Sequence, residues 1–157
     1  MSNKKFKILV CYHKKERLFK NEVLTPVHCG REIAFQKSKD GTISNKDYQW
    51  LLDNTIGDNT GENISELNRE VNEMTALYWA WKNYEQLGNP DYIGLMHYRR
   101  FLDLSAHLSI NNFVVLNYLD RLGLNSKYLN KLFEKFDFIS RKHKRFLAQF
   151  SDYKFEL

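Results

Sequence analysis

The chain has 157 residues, of which 43% are hydrophobic, 15% aromatic and 27% charged, and this composition predicts one globular domain over residues 1–157. The formal net charge of +5 favours an anionic ligand or a phospholipid surface. A nucleic acid partner is not expected, because the sequence has no helix-turn-helix, zinc-finger or RNP-like motif.

The two cysteines, Cys11 and Cys29, form no CxxC pair and predict neither a disulfide framework nor a zinc site. No apolar run approaches the length of about 18 residues that a membrane helix needs, and the apolar run at the N-terminus is too short for a signal peptide. We therefore expect a cytoplasmic protein, with peripheral contact to the inner membrane through its basic segments as an additional hypothesis.

The first predicted element is a strand over Phe6–Tyr12, whose continuous apolar residues are typical of the centre of a parallel sheet. His13 and Lys14 follow at its carboxyl end. Residues 25–30 form a short extended segment, and residues 32–36 favour a minor strand.

Three less regular segments come next. Residues 37–46 are predicted to be a turn or loop, and the apolar residues 48–52 fit no element clearly. Residues 53–62 form a polar loop with the oxygen-bearing side chains that hard cations prefer, but their spacing is not that of an EF-hand. A loop leading into a helix is favoured there over a metal site.

Residues 63–87 predict one amphipathic helix, with Asn63 as its N-cap, Glu66 completing a capping box and Gly88 as its C-cap. Steps of three and four residues place the apolar side chains on one stripe. These are Ile64, Leu67, Val71, Met74, Tyr78 and Trp81.

The opposite side of this helix is a row of amide side chains with a threonine and an indole. Asparagine is a poor helix former, so the row suggests a face that meets something. It is either a ligand-facing row or a packing surface against a loop whose backbone groups need amide partners. Its members are Asn68, Asn72, Thr75, Trp79 and Asn83.

A second apolar strand is predicted over residues 92–96, covered on both faces, and Gly94 within it suggests close approach of another backbone. His97-Tyr98-Arg99-Arg100 follows at its carboxyl end. The two guanidiniums match a phosphate or carboxylate, or else they make ordinary surface ion pairs.

If both apolar strands belong to one parallel sheet, His13, Lys14, Arg99 and Arg100 approach the same edge, which is where open α/β sheets bind ligands. Farther along, residues 111–135 are predicted to be partly helical with a break at Gly123. Residues 136–139 favour a further strand.

The segments GENISELNREVNEMTALYWAWKN and DYIGLMHYRRFL resemble the signature of a domain of unknown function in bacterial capsular polysaccharide, exopolysaccharide and lipopolysaccharide biosynthesis proteins. Members of that family are described as glycosyltransferases. The resemblance covers residues 5–140 and leaves 141–157 as a divergent basic tail. Family members continue beyond the point where this sequence stops, so we expect a C-terminally truncated copy.

The resemblance implies an α/β, GT-A-like (Rossmann-like) nucleotide-sugar-binding sandwich, which truncation would leave incomplete. The implied donor is a nucleotide sugar, with a UDP-sugar as the first expectation, and the implied acceptor is a glycan or lipid-linked glycan. The sequence has no Asp-x-Asp metal motif, so Arg99, Arg100 and Lys14 would supply positive charge to the diphosphate. Whether a divalent metal is needed stays open.

The amide row, the residues at the strand ends and the resemblance together give two sets of candidate site residues, with no metal ligand among them. The catalytic candidates are Glu73, as a general base or sugar-hydroxyl acceptor, His97, Arg99 and Arg100. The donor-binding candidates are Tyr12, His13, Lys14, Asn68, Asn72, Trp79, Asn83 and Tyr98. The alternative function is a non-catalytic remnant or interaction module with a basic, anion-binding face.

Overall fold

Among the residues that the structure describes, four parallel strands form one sheet. The computed structural model describes residues 4–39, 41–100 and 123–134. The strands are β1 (Phe6–Tyr12), β2 (Leu24–His28), β3 (Ile56–Gly57) and β4 (Tyr92–His97), arranged in the order β3-β2-β1-β4. Every neighbouring pair is parallel. The predicted α/β, Rossmann-like fold class is therefore confirmed, and so is the extent of the first strand.

The described helices are α1 (Asn45–Asn54), α2 (Asn68–Val71), α3 (Met74–Lys82) and α4 (Ser126–Leu132). Shorter 3₁₀ turns lie at Arg31–Ile33, Ser65–Leu67 and Tyr84–Leu87. Ser44 caps α1, because its Oγ accepts the Asp47 N–H at 3.1 Å. Asn125 caps α4 in the same way, with Oδ1 accepting the Tyr128 N–H at 2.9 Å.

Before α2, the segments 32–36 and 53–62 differ from their predictions, and residues 48–52, which fitted no element, are placed in one. The minor strand expected at 32–36 is wrong, because Gly30 adopts a left-handed conformation (φ 67°) and the Ile33 N–H bonds back to the Gly30 carbonyl at 3.1 Å. The apolar residues 48–52 lie in α1. The polar segment 53–62 contains β3, which is too short to stand out in the sequence.

The sheet separates two apolar cores, and β1 contributes to both. Phe6, Ile8, Val10 and Tyr12 alternate onto the face that packs against Leu51 of α1 and the apolar residues of α4. Leu9 and Cys11 point to the other face, toward Ala76, Trp79 and Ala80 of α3. This period-two alternation is the ordinary geometry of a strand, and it puts helices on both faces of the sheet.

The helix predicted over 63–87 is interrupted at Asn72. This residue has φ 51° and ψ −133°, a conformation outside the helical region. Its N–H closes α2 on the Asn68 carbonyl at 2.8 Å, and its own carbonyl accepts the Thr75 N–H at 3.2 Å. The 3₁₀ turn before α2 has Ile64 at its N-cap position, whereas Asn63 Oδ1 accepts the Ser65 N–H at 3.1 Å. Gly88 is the C-cap of the 3₁₀ turn Tyr84–Leu87, whereas α3 itself ends at Lys82 with Asn83 as its C-cap.

The two sides of α3 have the opposite burial to the predicted one. Met74 and Trp81, from the apolar stripe, are 52% and 61% exposed, whereas Trp79 is fully buried. Ala76 and Ala80 share the buried side with Trp79. Their small side chains allow the helix to lie close to the sheet, and this contact outweighs the amphipathic pattern.

The row of amides on this buried side packs largely against the loop that precedes it. The indole Nε1 of Trp79 donates to Thr60 Oγ1 at 2.9 Å, and Asn83 Nδ2 donates to the Glu62 carbonyl at 2.9 Å. These two side chains thus occupy the packing surface that was one of the two readings of the row.

The strand predicted at 92–96 is present as β4, but two details differ. Within the described part of the chain β4 pairs only with β1, and most of its side chains are half-buried. A Cβ on Gly94 would lie 3.1 Å from Cγ1 of Ile8, so the close neighbour is a side chain and not a backbone.

The described helices contain none with the length and apolarity of a membrane span. The predicted helical region 111–135 is described only from Gly123, where it contains α4. The strand predicted at 136–139 and the tail 141–157 lie outside the described residues.

Candidate functional site

A cavity of about 810 Å³ opens at the carboxyl ends of β1, β2 and β4. One wall is formed by residues that follow these strands, and another by α2 and its junction with α3. A third wall comes from the segment 33–47. Ligand sites of open parallel sheets lie at this edge because the chain leaves each strand there and its loops diverge.

Most of the candidate site residues are brought together here. The cavity is lined by Tyr12, His13, Lys14, Asn68, Asn72, Glu73, His97, Arg99 and Arg100. Trp79, Asn83 and Tyr98 are buried and do not line it. Lys39 and Arg69, which the sequence analysis did not select, add positive charge to the lining.

Stacked rings support the basic side of the cavity. The Tyr98 ring lies on the Tyr12 ring, with centroids 5.2 Å apart and planes 12° from parallel. The His13 ring lies 5.4 Å from Tyr98 and 5.6 Å from His97. Tyr98 therefore contributes through its ring, against which the charged side chains pack.

The Tyr12 hydroxyl is committed to the fold. It donates to the Arg17 carbonyl at 3.0 Å and accepts the Phe19 N–H at 2.9 Å. Burial raises the pKa of Tyr12 to about 12, so the hydroxyl stays protonated. Its role is to hold the loop after β1 in place.

The two guanidiniums of the tetrapeptide face solvent at the mouth of the cavity. Arg99 lies over the Tyr98 ring, with Cζ 5.2 Å from the centroid, which is a cation–π contact. Among the residues that the structure describes, neither Arg99 nor Arg100 has an ion pair or a side-chain hydrogen bond. The surface ion pairs that were the alternative reading are thus not seen in this part of the chain.

Glu73 and His97 bring a carboxylate and a neutral imidazole to the same cavity. Burial lowers the pKa of His97 to about 4, opposed by the charge of Glu73 and reinforced by His13, Arg99 and Arg100. The Glu73 side chain is half-buried and makes no ion pair within the described segments. The arrangement offers a carboxylate base beside a neutral ring.

Asp58 is a buried carboxylate that sequence reasoning missed. Its Oδ2 accepts the Gly30 N–H at 2.7 Å and the Thr75 hydroxyl at 2.6 Å. Its Oδ1 accepts the Arg31 N–H at 3.1 Å and the Ser65 hydroxyl at 2.5 Å. One side chain thus ties the turn after β2 to the start of α3, and it fixes two walls of the cavity relative to each other.

His28, which lines the cavity, forms a second contact with the half-buried Arg31. Arg31 Nε donates to His28 Nδ1 at 3.2 Å, and Arg31 Nη2 donates to the Thr55 carbonyl and hydroxyl at 3.0 and 2.8 Å. Burial, with the positive charge of Arg31 and His13, lowers the pKa of His28 to about 3. His28 is therefore a neutral hydrogen-bond acceptor, which its position in an unremarkable extended segment did not reveal.

The turn at Gly30 brings the two walls into direct contact. A Cβ at this position would lie 2.7 Å from Cβ of Asn68. Asn68 Nδ2 donates to the Asn72 carbonyl at 2.8 Å and to Thr75 Oγ1 at 3.0 Å, so its amide stabilises the junction between α2 and α3.

Residues 4–39, 41–100 and 123–134 contain no cluster of three His, Cys, Asp or Glu side chains that could hold a metal ion.

Comparison with known proteins identifies two similarities. A family model described as a domain of unknown function, DUF4422, matches residues 7–156, and so includes most of the segment 141–157. The fold is similar to that of WbbM, a bifunctional glycosyltransferase solved in its apo form, with a TM-score of 0.58 and 28% sequence identity. The similarity covers 83% of this chain but only 21% of WbbM, so the chain spans about a fifth of that protein. No curated protein matches the sequence.

Proposed function

The chain belongs to the DUF4422 family, and from this membership and the cavity we propose that it is a glycosyltransferase, or the donor-binding part of one, that uses a nucleotide sugar. The observation that carries the proposal is the pair of guanidiniums, Arg99 and Arg100, at the carboxyl edge of the sheet, without ion pairs among the described residues. The similarity to WbbM, a bifunctional glycosyltransferase, supports it.

The chemistry of the cavity fits a nucleotide diphosphate. Its basic lining residues surround a volume of about 810 Å³, which lies within the range of about 300–1,000 Å³ for small-molecule sites. Arginine suits a diphosphate because its planar fork of donors can bond two phosphate oxygens at once. We assign the diphosphate to Arg99, Arg100 and Lys14, with His13 beside them.

A nucleotide sugar supplies an activated anomeric carbon and a diphosphate leaving group. In the proposed reaction, Arg99 and Arg100 stabilise the negative charge that the leaving group gains. Glu73 accepts the proton of the acceptor hydroxyl, a task suited to a half-buried carboxylate. Asn72, whose amide is exposed at the cavity, is assigned to a sugar hydroxyl.

The remaining donor-binding candidates support the site from behind. Asn68 holds the α2–α3 junction, Trp79 and Asn83 hold the loop before α2, and Tyr98 with Tyr12 carries the charged groups. We propose a UDP-sugar as donor and a cell-surface glycan, or a lipid-linked glycan at the membrane periphery, as acceptor.

The proposal is tested by thermal unfolding of the 157-residue chain with a panel of nucleotide sugars, UDP-sugars first, with and without Mn²⁺. A ligand at ten times its Kd adds about 1.4 kcal/mol to the stability of the native state. For a chain of this size we expect the midpoint to rise by roughly 3–6 °C. Arg99→Ala and Arg100→Ala should each remove most of this rise.

The matched control is Lys127→Ala, which removes one positive charge from an exposed position of α4 outside the cavity lining. It should leave the ligand-induced rise unchanged. A chain that responds equally to every nucleotide sugar and to inorganic pyrophosphate would instead be a general anion-binding module. A chain that responds to none of them would contradict the proposal.

A further inference from the structure

Residues His97–Arg100 form a tight turn whose backbone donors are used within the fold. The Arg100 N–H donates to the His97 carbonyl at 2.9 Å, and the Tyr98 N–H donates to the Cys11 carbonyl at 3.2 Å. The Arg99 N–H donates to the imidazole Nδ1 of His97 at 3.1 Å. A hydrogen bond donated to a ligand at this turn must therefore come from a side chain and not from these three N–H groups.

The bond from Arg99 fixes the proton of the His97 ring. A backbone N–H can only donate, so Nδ1 must carry a lone pair. A neutral imidazole has one proton, which then resides on Nε2. With a pKa of about 4, the ring is neutral near pH 7 despite the nearby carboxylate of Glu73.

We infer that His97 acts on the ligand of this cavity as a fixed hydrogen-bond donor through Nε2–H and not as a base. Arg99 and Arg100 are donors to the same ligand. The turn uses Nδ1, so the opposite edge of the ring, which carries Nε2–H, remains for a ligand. His97 also lines the cavity. Proton acceptance is then left to a carboxylate of the lining, and we assign it to Glu73. This donor role rests on the proposed function, whereas the position of the proton does not.

The first test is a long-range ¹H–¹⁵N correlation spectrum of the ligand-free chain, labelled at histidine, near pH 7. The difference from His97→Gln assigns the signals of His97 among the 5 histidines. We expect the pattern of a neutral ring protonated at Nε2. A ring protonated at Nδ1, or a cationic ring, would overturn the inference.

The second test separates the donor role from a merely structural one. A glutamine amide reaches the position of Nε2, whereas an asparagine amide reaches that of Nδ1. If His97 donates to the ligand, His97→Gln should keep UDP affinity within about tenfold of the original, and His97→Asn should lose more. If His97 only accepts from the Arg99 N–H, the order is reversed and the inference is wrong.

The stability of each variant, measured by urea unfolding, shows whether the turn itself is kept. The spectrum is recorded without ligand, so it decides the position of the proton even if UDP fails to bind. Failure of binding together with an Nε2–H ring would contradict the proposed function and the donor role, and would leave the protonation established.

Discussion

Asp58 has two oxygens, and each accepts one backbone N–H and one hydroxyl. A hydroxyl can rotate to accept a bond, but a backbone N–H cannot. In Asp58→Asn one of the two N–H groups, from Gly30 or Arg31, would therefore face an amide NH₂ in a buried place. Leaving a buried donor without its acceptor and removing a charged acceptor together cost on the order of 3 kcal/mol.

We therefore expect Asp58→Asn to lower the free energy of unfolding in urea by about that amount. Asp53→Asn is its control, because Asp53 is exposed on α1 and accepts only from the Gln49 amide among the described residues. It should change stability by less than about 0.5 kcal/mol. Equal effects of the two substitutions would show that Asp58 is not the tie between the walls of the cavity.

The neutral state of His28 makes stability depend on pH. Its pKa is about 3 in the fold, against an ordinary value of 6.5. Between these values the unfolded chain binds a proton that the native chain does not, so stability falls as the pH decreases from 6.5 toward 3. One such histidine contributes a slope of at most about 1.4 kcal/mol per pH unit.

His28→Asn keeps an acceptor near the position of Nδ1 and removes the titrating group. We expect this variant to be less stable at pH 7, because a buried ring is lost, but to have a shallower slope between pH 6.5 and 5. Urea unfolding at several pH values measures both quantities. An unchanged slope would mean that His28 is protonated in the native state.

Residues near the ends of apolar strands could be predicted to lie together at the candidate site, and those that hold the walls of the cavity could not. His13, Lys14, Arg99 and Arg100 follow apolar runs, and parallel strands bring their carboxyl ends to one edge. Asp58 and His28 depend on partners from distant parts of the chain, such as Thr75 for Asp58. No local pattern specifies such a pairing.

At the scale of the element, α3 shows that the longer apolar stripe does not always face the core. Trp79 is fully buried and donates to Thr60, whereas Trp81 is 61% exposed and lies beside the ammonium of Lys82, 4.4 Å from its centroid. Trp79→Phe should therefore lower the free energy of unfolding by roughly 1–3 kcal/mol, through a small cavity and a lost hydrogen bond.

Trp81→Phe is the same substitution two residues away and should change stability by less than about 0.5 kcal/mol. Urea unfolding of both variants decides which side of α3 faces the sheet. A larger loss of stability in Trp81→Phe than in Trp79→Phe would contradict the orientation of α3 with Trp79 toward the sheet.

The orientation of α3 could not be predicted from periodicity because two effects absent from a hydrophobicity pattern decide it. Ala76 and Ala80 let the helix approach the sheet, and the loop before α2 supplies polar partners for Trp79 and Asn83. At the break after α2, the Asn68 amide makes local bonds to Asn72 and Thr75, and the Thr75 hydroxyl also donates to Asp58, a partner outside the helix that periodicity does not reveal.

At the scale of the whole molecule, the two apolar runs were the strongest signals in the sequence, and they were sufficient to predict the fold class. The apolar runs that became β1 and β4 are typical of a parallel sheet, and the structure pairs these two strands in parallel. The edge strand β3 (Ile56–Gly57) is two residues long and carries no alternation by which it could be recognised. The central sheet is thus encoded locally, whereas its edge is set by packing.

The two tryptophans of α3 have a spectroscopic consequence. The ring of Trp79 is buried in an apolar core and that of Trp81 is exposed to solvent, although only Ala80 separates them in the chain. Within the emission of α3, the red-shifted part therefore comes from the outer face of the helix and the blue-shifted part from its inner face, and the half-buried Trp50 of α1 adds a third contribution. A single short helix thus carries one fluorophore that senses the integrity of the core and another that senses whatever approaches the surface.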